Sequence, residues 1–169
     1  FDREGPSVKH HIQTFCALKH FDFNRITSFS YEQLFQTLRE LKLPYSEAEQ
    51  LFRRMVFNVL AQNCDDHTKN FAFRLQKDSK WKLAPAYDIC HAYQPNHRWV
   101  SQHALSINGK RSGITKEDLL YIGNTIKNKK AAQTIEEISQ TINQWGNFAD
   151  KVEVSSKLRD SIASSLIQL

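Results

Sequence analysis

The sequence predicts a mainly α-helical domain with one small β-hairpin near its middle. Two observations predict this. Apolar residues recur at helical spacing in segment after segment, and only around residues 70 to 84 does the period change to strand alternation. The 169 residues are 40% apolar and 11% aromatic, enough to bury a core as one domain.

Taken in order, residues 7 to 19 read as a helix, with Ser7 as cap and Val8, Ile12, Phe15 and Leu18 on one face. Residues 30 to 42 read as a second, opened by a Ser30–Gln33 capping box and striped by Tyr31, Leu34, Phe35, Leu38 and Leu41. Pro44 separates it from a third, which Ser46 and Glu49 open as another capping box and which runs to about residue 62. Phe57 widens its apolar stripe of Phe52, Met55, Val56, Val59 and Leu60, so this helix should be buried on most sides. Phe71, Phe73 and Leu75 then alternate with Ala72 and Arg74, Lys77 to Ser79 turn the chain, and Trp81 to Ala84 return it. Trp81, Phe71 and Phe73 are read as core anchors. A long connection at 93 to 113 carries Pro95, Asn108-Gly109 and Gly113. Beyond it, Thr115 with Asp118 caps one helix. A second runs from about 129 through Trp145 to a stop at Gly146, and a third carries Leu158, Ile162 and Leu166.

Composition narrows the function classes. No apolar run approaches the ~20 residues of a membrane span, and no secretory signal opens the chain. Net charge is +5, but no helix shows a basic stripe, so direct nucleic-acid binding is not expected. Cys16, Cys64 and Cys90 form no C-x-x-C, which suits buried thiols in a reducing, cytoplasmic setting. The seven histidines match no standard zinc finger. The chain begins at Phe1 and is read as part of a longer protein.

The stretch NCDDHTKNFAF, residues 63 to 73, crowds polar groups where a buried helix ends, and Asp88 follows the hairpin. A hairpin returns its second strand beside its first, so Asp88 should lie near Asn70. Phosphoryl transfer uses this set of groups: a carboxylate to orient a hydroxyl and accept its proton, and hard oxygen ligands for magnesium. Asp65 suits the first role, Asn70 and Asp88 the second, and Lys69 could neutralise charge on the transferred group. The spacing Asp-x-x-x-x-Asn is that of the protein-kinase catalytic loop.

Together, NCDDHTKNFAF and WKLAPAYDI resemble the HipA family of bacterial serine/threonine kinases, the toxins of HipBA-type toxin–antitoxin systems. The opening FDR resembles that family's hinge between lobes. The resemblance is strongest over residues 50 to 90. It implies a protein-kinase-like C-terminal lobe spanning residues 1 to 169, with ATP and Mg2+ as cofactors. Asp65 matches the catalytic aspartate, with His67 and Lys69 in the catalytic loop's interior. Asn70 and Asp88 match the metal ligands, and Phe1, Asp2 and Tyr87 fall on the cofactor side. It further implies a protein substrate such as an aminoacyl-tRNA synthetase, and a HipB-like DNA-binding antitoxin as partner. The sequence carries no glycine-rich phosphate loop and no strand with an ATP-binding lysine. Both would lie in an N-terminal lobe outside this chain, without which the lobe should be inactive.

Rival readings attach to the same residues. A lipid-kinase-like enzyme would keep the loop and change the acceptor, but no basic amphipathic helix supports a membrane substrate. A non-catalytic partner-binding lobe would not need Asp65, Asn70 and Asp88 intact. Asp66 reads as a solvated neighbour or a brace of the loop, and His67 as a residue that holds its shape. Asn70 could instead cap the hairpin, and Asp88 a turn. Cys64 and Cys90 read as buried thiols, and Lys110 and Arg111 as either a substrate-groove pair or a solvated turn.

Overall fold

The computed structural model describes residues 2–22, 24–25 and 27–169. Seven helices and five short strands are formed among the described residues. Two strands, β1 (Arg3–Glu4) and β2 (Val8–Lys9), pair antiparallel with Arg3 opposite Lys9. A third, β3 (Ile12–Thr14), joins the central hairpin of β4 (Ala72–Leu75) and β5 (Trp81–Leu83) in the order β3-β4-β5. In register, Gln13 faces Phe73, which faces Leu83. The hairpin is therefore two-thirds of a sheet.

This corrects the helix expected over residues 7 to 19. Only α1 (Phe15–Leu18) is helical, capped by Thr14, whose Oγ1 accepts from the Ala17 N–H at 3.1 Å. The apolar spacing of Val8, Ile12, Phe15 and Leu18 suits one helix face, but β4 offers an open edge that residues 12–14 satisfy instead. Pairing with a distant strand overrides local propensity. The fold is helical, with more sheet than one hairpin.

The long helices follow their signals. In α2 (Tyr31–Glu40) the Ser30–Gln33 capping box is present in both directions, and Tyr31, Leu34, Phe35 and Leu38 are buried. The central helix α3 (Tyr45–Leu60) buries Leu51, Phe52, Met55, Val56, Val59 and Leu60. Its cap is Pro44, two residues before the expected Ser46, and the Ser46–Glu49 box does not form. Pro44 has no N–H to satisfy and its preset φ suits a helix entry, so the side-chain cap is dispensable. Helix α4 (Lys116–Thr125) opens with the Thr115–Asp118 box. Helix α5 (Ala131–Ile142) ends before Trp145, which begins a separate α6 (Trp145–Lys151) that runs through Gly146. Gly146 is thus inside a helix rather than a stop. Helix α7 (Ser156–Ala163) follows, with Ile162 half-buried and Leu158 exposed.

One core unites these elements. It holds α3 against α2 and α5, and takes in Phe15 of α1, Phe71 and Phe73 beside the hairpin, and Leu105 and Ile107 of the long connection. Trp81 packs against it half-buried. No helix of the described residues is long and apolar enough to cross a membrane.

A candidate phosphotransfer loop

The loop after α3 is held by backbone pairing on two sides. Gln62 takes a left-handed conformation (φ 54°), and the Asn63 N–H returns to the Asn58 carbonyl at 2.8 Å. Cys64 N–H then donates to Ala92 O at 3.1 Å, and Ala92 N–H to Gln62 O at 3.0 Å, so residues 62–64 lie beside the segment that follows the hairpin. Cys16 N–H donates to Thr68 O at 3.0 Å, which pins the loop to α1. Inside the loop, His67 N–H donates to Asp65 O and Asn70 N–H to His67 O, at 2.8 and 2.9 Å.

Asn70 reaches Asp65 through its side chain. Its Nδ2 donates to the Asp65 carbonyl at 2.9 Å, which turns Oδ1 the other way. The Asp65 carboxylate is half-exposed, with His67 Nε2 at 3.8 Å, while His67 Nδ1 accepts from the Lys69 N–H at 3.3 Å. The imidazole therefore braces the turn between Asp65 and Asn70. Tyr87 donates its hydroxyl to Lys69 O at 2.5 Å. Burial, with the Asp88 charge adding to it, pushes that phenol up to about 12, so it stays a donor at neutral pH.

Asp88 is tied by its backbone to Asn63, at the start of the loop. It adopts a left-handed conformation (φ 53°), and its carbonyl accepts from Asn63 Nδ2 at 3.3 Å. Its carboxylate is exposed and makes no hydrogen bond or ion pair among the described residues. Partial burial pushes the Cys90 thiol up, and the carboxylates of Asp88 and Asp65 reinforce that, so one sulfur senses both. Cys90 is exposed, unlike Cys64 and unlike the expectation for it. Of the residues assigned to the cofactor side, Asp2 lies just before β1, where its carbonyl accepts from His10 N–H at 2.8 Å. Phe1 falls outside the described residues.

The largest addition to the expected site is Asp66. It is 1% exposed and is the brace, not the solvated neighbour. Its Oδ2 accepts from the Tyr31 hydroxyl at 2.8 Å and from His103 Nδ1 at 3.0 Å, and its Oδ1 from the Ala104 N–H at 2.8 Å. Tyr31 in turn accepts from Asn58 Nδ2 at 2.9 Å, and Asn58 Oδ1 from Asn63 Nδ2 at 3.0 Å. A chain of hydrogen bonds, buried from Asn63 inward, thus runs from the Asp88 carbonyl through Asn63, Asn58, Tyr31 and Asp66 to His103. Burial pulls the His103 imidazole down, but the Asp66 carboxylate against it prevails and holds it at about 10. Arg111 is not the solvated turn residue of one reading. Its guanidinium donates to the carbonyls of His103, Ala104 and Phe29. Lys110 pairs with Asp118 at 2.8 Å.

Comparison with known proteins agrees with this architecture. The model of the HipA-like C-terminal domain matches residues 1–145. A Haemophilus influenzae protein named "Putative kinase" is 38% identical over 61 residues, 36% of this chain and 18% of that protein. Among solved structures, HipA of Shewanella oneidensis MR-1, in a toxin–antitoxin complex of HipA, HipB and operator DNA, matches with a TM-score of 0.74. That match is 17% identical and covers 97% of this chain and 44% of that one. The chain therefore spans less than half the length of either protein, and the structural likeness is one of fold.

Proposed function

The chain belongs to the HipA-like C-terminal domain family, and we propose that it is the catalytic-loop lobe of an ATP-dependent serine/threonine protein kinase. The observation that carries this reading is the joining of Asp65 and Asn70 in one loop, with Asp88 secured beside it by Asn63 and Tyr87. In this reading the Asp65 carboxylate orients an acceptor hydroxyl and takes its proton as the oxygen–phosphorus bond forms and the bond to the ADP leaving group breaks. His67, bonded to the loop backbone, keeps the Asp65 carboxylate turned outward. Lys69 lies on the exposed face of the loop, where an ammonium can offset phosphoryl charge. Tyr87 ties that stretch to the Asp88 segment, and Asp2 with Phe1 contributes the hinge side of the nucleotide site.

The donor set fits magnesium. Asn70 Oδ1 points away from its own donor bond, and the Asp88 carboxylate is exposed, so both present hard oxygens. Asn70 and Asp88 would hold the ion, which when bound neutralises the nucleotide phosphates. The glycine-rich loop and the ATP-binding lysine come from a further lobe of a longer protein, in keeping with the 44% and 18% of its relatives that this chain spans. By analogy with the Shewanella complex, a HipB-type antitoxin is the partner, and the substrate is a cytoplasmic protein such as an aminoacyl-tRNA synthetase.

Asp65→Asn in the full-length protein tests the assignment. Incorporation of γ-phosphate from labelled ATP into protein should fall by about 10²- to 10⁴-fold, the usual worth of a positioned general base, with the circular dichroism melt unchanged. Wild-type incorporation by the variant would remove Asp65 from the role.

A further inference from the structure

His103, the partner of Asp66, borders a cavity that the phosphotransfer reading does not use. Its volume is about 140 Å³, and its lining includes His103, Arg111, Ser101, Gln102, Ser112 and Gln62. That is several times the ~30 Å³ share of one water molecule. Among the described residues two cations line it and no carboxylate does.

Hydrogen bonding makes the imbalance specific. His103 Nδ1 is spent on Asp66, while Nε2 is fully buried and has no hydrogen-bond partner among the described residues. With both ring nitrogens protonated, Nε2–H is a charged donor that needs an acceptor. The Cys64 thiol stands beside the ring, but its sulfur is a poor acceptor, out of bonding geometry with Nε2, and its S–H is directed to Gln62 Oε1 at 3.8 Å. The only carboxylate that compensates His103 and Arg111 among the described residues is Asp66. Lys110 and Asp118 satisfy each other nearby. One positive charge is left over, next to an orphaned donor and the hydroxyls of Ser101 and Ser112. A buried cation without a counter-charge is costly, and an oxyanion would supply both the acceptor and the charge.

We propose that this cavity is an oxyanion subsite of phosphate size, anchored by the Nε2–H of His103 and separate from Asp65, Asn70 and Asp88. The ligand is a phosphoryl group, whether free phosphate or a phosphorylated side chain. Asp66 accepts from His103 and adjoins Asp65, so occupancy would bear on the loop through one residue.

The test follows the histidine ring signals by ¹H–¹⁵N spectroscopy, without magnesium and with EDTA present. His103→Gln assigns the His103 signal by its loss. Inorganic phosphate and, separately, a phosphoserine peptide are titrated against chloride at constant ionic strength. Phosphate or the peptide should shift the His103 signal saturably, and whichever acts decides the source. The shift should survive Asp88→Ala, which disables the proposed nucleotide site, and a failure of the kinase reading would leave it intact. Ser112→Asp, which places a carboxylate at the exposed mouth, should weaken binding by about tenfold or more, the usual worth of one charge-assisted contact. No saturable shift with either probe would overturn the proposal, as would its loss in Asp88→Ala or unweakened binding in Ser112→Asp.

Discussion

Replacing Asp66 with alanine tests how the loop is built. Asp66 takes three well-formed hydrogen bonds, from Tyr31, His103 and Ala104, and is buried. Its removal orphans a phenol, a backbone N–H and an imidazolium. Breaking a buried ion pair by deleting one partner costs about 3–5 kcal/mol. His103 can limit the loss by releasing its proton, because burial without Asp66 favours the neutral ring, so the lower half of that range is expected. Even about 3 kcal/mol is a large share of the ~5–15 kcal/mol that holds a domain together. Urea unfolding followed by the fluorescence of Trp81, Trp99 and Trp145 reads the change. A double-mutant cycle with His103→Gln isolates the pair, and a coupling of about 1 kcal/mol or more is expected for residues in one network. A loss below about 1 kcal/mol in Asp66→Ala, well under the cost of an unpaired buried charge, or strict additivity with His103→Gln, would refute the account.

Three further outcomes follow. Because His103 is held protonated at about 10, above the ~6.5 of an unfolded histidine, its stabilisation is complete below about pH 6.5 and is lost as pH rises through about 10. Unfolding free energy should decline by up to about 1.4 kcal/mol per pH unit between pH 7 and 9.5, measured as urea midpoints, and His103→Gln should flatten the slope. At Gly123 in α4, an added Cβ would stand 2.5 Å from Ala131 Cβ and 3.5 Å from the Phe52 ring. Gly123→Ala should therefore lower stability by about 1–3 kcal/mol through overpacking, despite alanine's better helix propensity, and a raised melting temperature would contradict it. Asp88→Ala in the full-length protein should weaken magnesium-dependent ATP binding in calorimetry, and unchanged affinity would take Asp88 out of the metal site.

What was legible in the sequence was local. The Ser30–Gln33 and Thr115–Asp118 boxes involve residues three apart, and both form as read. The hairpin needed only alternation and a turn, and β4 and β5 fall inside the expected span. The Asp-x-x-x-x-Asn spacing is likewise local, and Asn70 bonds Asp65 within one loop. Residues 12–14 were misread because their partner, β4, lies some sixty residues on, and a helix-compatible spacing carries no mark of a distant edge.

Asp65 and Asp66 show where local reading stops. They are the same residue type at adjacent positions, and nothing in NCDDHTKN distinguishes them. Successive side chains in the loop diverge, so one carboxylate faces outward and the other inward. An inward carboxylate is tolerable only with donors waiting for it. Those donors come from Tyr31, 35 residues earlier, and His103, 37 residues later. The pairing that fixes which aspartate stays exposed is thus encoded in α2 and in the long connection, outside the motif. It follows that substitutions at Tyr31 or His103, which touch no residue of the proposed chemistry, should disturb the placement of Asp65 through Asp66, while an exposed change such as Lys80→Ala in the hairpin turn should not.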